Sequence, residues 1–263
     1  MNKRLANKIR YYKRLYTLKY TTTKLAKIVF YDAFIRPFNR EKAVKISWKE
    51  PAKYLAQRDF GLKFSKDSVV TEFFLERDYI KYKEFIPSKE DTVVDVGVQY
   101  GDYAILCNKY YGSKVFAFEP LKNNIRIIKE NLALNKIKEN FYLYPVALGS
   151  KQRKISIAYD DDMMNSRGEG KKQLTIVRTL DSYRLHPDIL KIDVEGFEMD
   201  VLNGAQRTIK KYHPRIIIET HNRSLEKQVR RTLEGLGYKI AHEGRAVYSA
   251  TKGFDKVTNL FFY

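Results

Sequence analysis

The chain has 263 residues, 44% of them hydrophobic, a single cysteine and a net charge of +19. That composition excludes global disorder, an internal disulfide and a multi-cysteine zinc centre. No apolar run approaches the length of a transmembrane helix, and the basic start lacks the apolar core and cleavage site of a secretory signal, so a cytoplasmic location is expected.

Charge is unevenly spread. Residues 1–40 hold eleven Lys/Arg and one acid, Asp32, and so contribute +10 of the +19. Leu5, Ile9, Tyr12 and Tyr16 recur at helical spacing, which predicts a basic helix. Such a segment can pack on a catalytic domain, lie on an anionic membrane surface or bind nucleic acid. Residues 1–85 are read as a largely helical basic extension. Within it "VKISW" (44–48) reads as a strand, and 69–86 as a helix or a helix plus a strand.

From residue 86 onward a second region is expected, in which strands and helices alternate from residue 92. "TVVDV" (92–96), "KVFAFEP" (114–120), "NFYLYPVAL" (140–148), "ILKIDV" (189–194) and "RIIIET" (215–220) read as strands. "YKIAHE" and "VTNLFFY" supply two more. Helices are predicted over 103–111, 122–135, 199–212 and 224–237, the last with a serine cap. Residues 159–172 read as a long loop. Short apolar strands alternating with helices imply an α/β fold with a mostly parallel sheet covered on both faces. Ligands of such sheets bind outside the carboxyl ends of the strands.

The stretch "DVGVQYGDY" (95–103) follows the first of these strands. It is neither G-x-G-x-x-G nor a P-loop. Gly97 and Gly101 let the backbone approach a ligand, while Asp95 would repel a diphosphate. Glu119 closes the second strand, where a carboxylate can take both hydroxyls of a ribose. An acidic glycine turn with a ribose-binding acid fits S-adenosylmethionine.

Several pieces of the chain occur in a distinctive order: "VVDVGVQYGDY", "FAFEP", "VALG" (146–149), "NS" (165–166), "TLDSY" (179–183), "LKIDVEGFEMDVLNGA" (190–205) and "PRIIIETH" (214–221). The series resembles the FkbM family of S-adenosylmethionine-dependent methyltransferases over about residues 90–222. It departs from the family at Val98 and Gln99, where Ala-Asn is usual. The resemblance implies a Rossmann-like class I methyltransferase fold with a seven-stranded sheet. It places Asp95, Gly97, Gln99, Gly101, Tyr103, Glu119 and Ala147 at the cofactor, Ala147 at the adenine, while the neighbouring Leu148 reads as strand core. By analogy Asp193, Glu195 and His221 are the candidate catalytic groups, any of which could take a proton from an acceptor hydroxyl. Asp193, Glu195, Glu219 and His221 include hard ligands that suit magnesium, but the reading assigns no metal.

Three functions compete. The first is O-methylation of a hydroxyl on a sugar, glycolipid or small metabolite, with a variant in which residues 1–40 hold the enzyme at an anionic membrane. The second is methylation of nucleic acid bound through the same arm. The third is a binding protein on a decayed methyltransferase fold.

Overall fold

The computed structural model of the chain describes residues 50–65, 78–160, 163–164, 170–245 and 257–263, together with positions 23, 26, 28, 29 and 74. The expected basic helix and the 44–48 strand otherwise lie outside these residues. Chain contacts define two compact units: 1–64 with 68–77, and 65–67 with 78–263. In the smaller unit, helix α1 (Glu50–Phe60) buries Pro51, Ala52, Leu55 and Ala56. Phe74 packs its ring against Phe60 and Phe64 at 5.9 and 5.4 Å.

The larger unit is built on a seven-stranded sheet. Its strands are β1 (Thr92–Val96), β2 (Lys114–Phe118), β3 (Phe141–Tyr144), β8 (Ile189–Ile192), β9 (Arg215–Thr220), β10 (Ile240–Arg245) and β11 (Thr258–Phe262). They lie in the order β10-β11-β9-β8-β1-β2-β3. Pairing is parallel from β3 across to β9, and β11 runs antiparallel between β9 and β10. Four consecutive residues of β1, and all of β8 and β11, are buried. That is why these strands read as largely apolar runs rather than as alternating ones.

Helices connect the strands: α2 (Asp102–Lys109), α3 (Lys122–Leu134), α4 (Glu198–Asn203), α5 (Gln206–Tyr212) and α6 (Arg223–Gly235). A second sheet in the order β4-β7-β5-β6 interrupts the alternation. It comprises β4 (Ala147–Leu148), β5 (Arg153–Asp160), β6 (Met163–Met164) and β7 (Lys171–Arg178).

Several local expectations change. The strand expected over 140–148 is two strands in two sheets. Pro145 cannot donate to a ladder, and the chain turns there with the Val146 amide donating to Tyr144 O. The long loop expected over 159–172 is, in its described part, the end of β5, the short β6 and the start of β7. The helix expected over 199–212 is divided at Gly204-Ala205. A Cβ on Gly204 would lie 2.0 Å from Gly149 O, so two chain segments meet there at backbone contact. Asp181 then caps the second half, accepting from the Arg207 and Thr208 amides and the Thr208 hydroxyl. The cap of α6 is Asn222, whose side chain accepts from the Leu225 amide at 2.8 Å, and not Ser224. The described residues 78–86 form two short 3₁₀ turns, Asp78–Ile80 and Lys83–Phe85, with no strand.

Candidate active site

The carboxyl ends of β1, β2 and β8 open on one cavity of about 430 Å³, within the usual range for small-molecule sites. Its walls include Gly97 and Gln99 from the turn after β1, and Glu119, Pro120 and Leu121 after β2. Asp193, Val194 and Glu195 follow β8, and Ala147, Ile155, Ile157, Lys172 and Val177 come from the second sheet.

The turn after β1 is pinned from three sides. The Gly97 amide donates to Phe118 O at the end of β2. The Gln99 amide donates to Glu119 Oε2 at 2.8 Å. The Gly101 amide closes the turn on Val98 O. Gly97 has φ +84°, and a Cβ there would stand 1.7 Å from Asp193 O. The protein's own backbone therefore demands this glycine before any ligand arrives. Gln99 takes φ +53°, in the left-handed region that costs a β-carbon residue about 1–2 kcal/mol. Glu195, across the cavity, does the same at +54°. Val98 is buried and is not part of the cavity wall, so its bulk does not narrow the opening.

Glu119 is 4% exposed. Besides Gln99, its carboxylate accepts from the Leu121 amide at 2.9 Å and Asn124 Nδ2 at 3.2 Å. Burial outweighs these bonds and pushes its pKa up to about 7.

Asp95 is not at the cavity. It lies behind the turn, 1% exposed, with Lys191 Nζ 3.1 Å from Oδ1. The same ammonium donates to Gly97 O at 3.3 Å. Lys191, the register partner of Asp95 on β8, thus neutralises the acid and fastens the turn. Gly101, φ +85°, begins α2 and is likewise away from the cavity. Tyr103 is fully buried and meets the Tyr79 ring edge-on at 5.6 Å. Of the cofactor residues expected from sequence, Gly97, Gln99, Glu119 and Ala147 line the cavity. Asp95, Gly101 and Tyr103 stand behind its wall.

The candidate catalytic residues do come together. Asp193 and Glu195 line the cavity. His221, 3% exposed, lies behind them, with Nε2 3.8 Å from Asp193 Oδ1, 3.4 Å from Glu195 Oε2 and 3.6 Å from Glu219 Oε1. Its Nδ1 meets Glu198 Oε1 at 3.0 Å. Burial alone would lower the imidazole pKa. The Glu198 contact and the charges of Asp193 and Glu195 overcome it and raise the pKa to about 10. Three participants were not singled out from sequence: Tyr79, Lys191 and Glu198. The Tyr79 hydroxyl lies between Asp193 Oδ2 at 3.2 Å and Glu219 Oε2 at 3.1 Å, and its single proton is shared by the two acids. Glu198, fully buried at the start of α4, accepts the Gly196 amide. The one sequence signal for Lys191 was a lysine inside an otherwise apolar strand.

A parallel sheet with one antiparallel strand inserted next to its edge, and an acidic glycine turn facing a buried acid, defines a Rossmann-like methyltransferase fold. The Methyltransferase FkbM domain matches residues 95–240, and the chain belongs to that family. It is similar to the hexuronic acid methyltransferase AglP of Haloferax volcanii, 24% identical over 156 residues, which cover 56% of this chain and 62% of the relative. Among solved structures it is similar to methyltransferase FkbM from Methylobacillus flagellatus KT, with a TM-score of 0.52, 19% identity, and 84% of this chain and 60% of that one covered. It is also similar to precorrin-6y C5,15-methyltransferase from Geobacter metallireducens GS-15, with a TM-score of 0.50, 14% identity, and 81% and 97% covered. The chain thus spans less than two thirds of the curated relative and of the first of these structures.

Proposed function

We propose that the chain is an S-adenosylmethionine-dependent methyltransferase that methylates a hydroxyl of a sugar, glycolipid or small metabolite. The observation that carries the reading is Glu119, a buried carboxylate in the cavity wall. A carboxylate has about four acceptor positions, and Gln99, Leu121 and Asn124 use three. The remaining one can take a ribose hydroxyl. The apolar side chains of Ala147 and Leu148 in the wall suit an adenine. Four carboxylates line the cavity, Glu119, Asp193, Glu195 and Asp200, against the two cations Arg153 and Lys172. That balance favours a ligand carrying a sulfonium and an ammonium over a diphosphate. When bound, the donor supplies an activated methyl group.

The chain's own contribution is to orient the acceptor and accept its proton. Asp193 and Glu195 reach the cavity and are the candidate bases. His221 holds them from behind. The sugar acceptor draws support from the curated relative's name, and Lys172 on the second-sheet wall offers a partner for the carboxylate of an acidic sugar.

Calorimetric titration of S-adenosylmethionine into the wild-type chain and Glu119→Ala tests the reading. Micromolar binding is expected in the wild type. A 10- to 100-fold loss is expected in the variant, about the value of a hydrogen bond to a charged group. A change below about twofold would mean that Glu119 does not meet the ribose.

A further inference from the structure

We infer that Asp193, Glu219 and His221 form a binding site for one divalent cation of the manganese type, in the wall of the same cavity. Their ligand atoms all lie within 4.8 Å of one another. Tyr79 ties down one oxygen of each acid, Asp193 Oδ2 and Glu219 Oε2. The other oxygens, Asp193 Oδ1 and Glu219 Oε1, are the ones turned toward His221 Nε2, at 3.8 and 3.6 Å. These separations exceed the ~2.7–3.2 Å of hydrogen bonds. They approach the roughly 3–3.5 Å that separates neighbouring ligand atoms held about 2.0–2.2 Å from one ion.

The imidazole is prepared for the same task. Its inner nitrogen, Nδ1, is engaged by Glu198 Oε1 at 3.0 Å. When Nδ1 donates there and an ion displaces the proton on Nε2, the Nε2 lone pair is free to bind that ion, the usual carboxylate–imidazole arrangement behind a metal. Glu198 is fully buried, and its second oxygen, Oε2, has no hydrogen-bond partner. Glu198 thus fixes the imidazole from the buried side, and Asp193, Glu195 and Glu219 surround its outer nitrogen. Two carboxylate oxygens and one imidazole nitrogen form a mixed hard and borderline set, suited to Mn²⁺. Glu195, with Oε2 3.4 Å from Nε2, is in reach as a fourth ligand. Because Asp193 and Glu195 line the cavity, the ion would be open to an acceptor oxygen. That last role rests on the methyl-transfer reading, whereas binding of the ion does not.

The test is Mn²⁺ titration of the EDTA-treated full chain, followed by the electron paramagnetic resonance signal of free Mn²⁺, without any methyl donor. One ion per chain is expected. Asp193→Asn and Glu219→Gln should each weaken binding at least tenfold. Tyr79→Phe leaves every ligand in place and removes the brace, and should weaken it about tenfold, as changes behind metal ligands do. If the ligand variants fail to fold, Tyr79→Phe carries the test alone. No bound ion at about 1 mM Mn²⁺, the weak end of biological divalent sites, or wild-type affinity in the folded variants, overturns the inference. A parallel titration of S-adenosylmethionine separates the two claims. Mn²⁺ binding without donor binding sinks the methyl-transfer reading alone, and the converse sinks the ion alone.

Discussion

At residue 97 the chain has no choice. A Cβ would collide with Asp193 O, so Gly97→Ala should destabilise the folded chain by about 3 kcal/mol or more, combining a left-handed backbone with overpacking against a rigid carbonyl. Urea unfolding measures this, and a loss under 1 kcal/mol would show that the strand ends can move apart. Gln99 is the opposite case. It pays for a left-handed conformation that asparagine adopts more readily, so Gln99→Asn should gain a few tenths of a kcal/mol in the same measurement. The sequence announced the turn because two glycines four apart directly follow a β-branched strand, and Glu119 because an acid there ends an apolar strand. It could not reveal that Asp95 faces away from the cavity. Its orientation follows from Lys191, a partner 96 positions along the chain, and no local pattern encodes such a pairing.

Elements were legible where burial gave them a period or a continuous apolar run. The strand 215–220 and the helix starting at 122 lie where their patterns place them. Two of the misses share one cause, long-range backbone packing. Gly149 and Gly204 touch, and that contact ends α4 and starts α5 within what reads as a single amphipathic helix. The second sheet was missed because β4 is two residues long and pairs with β7, thirty positions away. Capping was misassigned by two residues because both Asn222 and Ser224 are good cap types. The structure separates them. Asn222→Ala should cost about 1 kcal/mol, and Ser224→Ala close to nothing, in thermal or denaturant unfolding. Equal costs would move the cap.

For the whole molecule, pH is the informative variable. Burial raises the pKa of Glu119 from 4.5, and that of Asp102 from 3.8, to about 7 in each case. A carboxyl whose folded pKa is raised binds its proton more tightly when folded. Its effect is to make the folded state progressively less stable as pH climbs from the unfolded value to about 7, with no further change above. Thermal melts of the ligand-free chain should show this fall between about pH 4.5 and 7, and Asp102→Asn should flatten part of it. A melting temperature that rises through that window in both proteins would contradict the assignment. No helix among the described residues is long and apolar enough to cross a membrane. The +10 carried by residues 1–40 bears on the proposed anionic partners. If an anionic membrane is the partner, the full chain should sediment with phosphatidylserine vesicles and be released by moderate salt. Equal sedimentation by a chain lacking residues 1–40 would remove the arm from that role. RNA binding that falls steeply with salt would favour the nucleic-acid reading instead.

Contact between Gly97 and the Asp193 carbonyl, and between Gly204 and Gly149, leaves the strand ends no slack. Substitutions there break the fold before they can reshape the cavity. The opposite wall is different: Ile155, Ile157 and Lys172 present side chains from a small sheet outside the main one. On the proposed function, divergence toward new acceptors would have its open ground on that wall, with the glycine turn held by its own geometry. A library confined to those three positions tests that division without touching the glycine contacts.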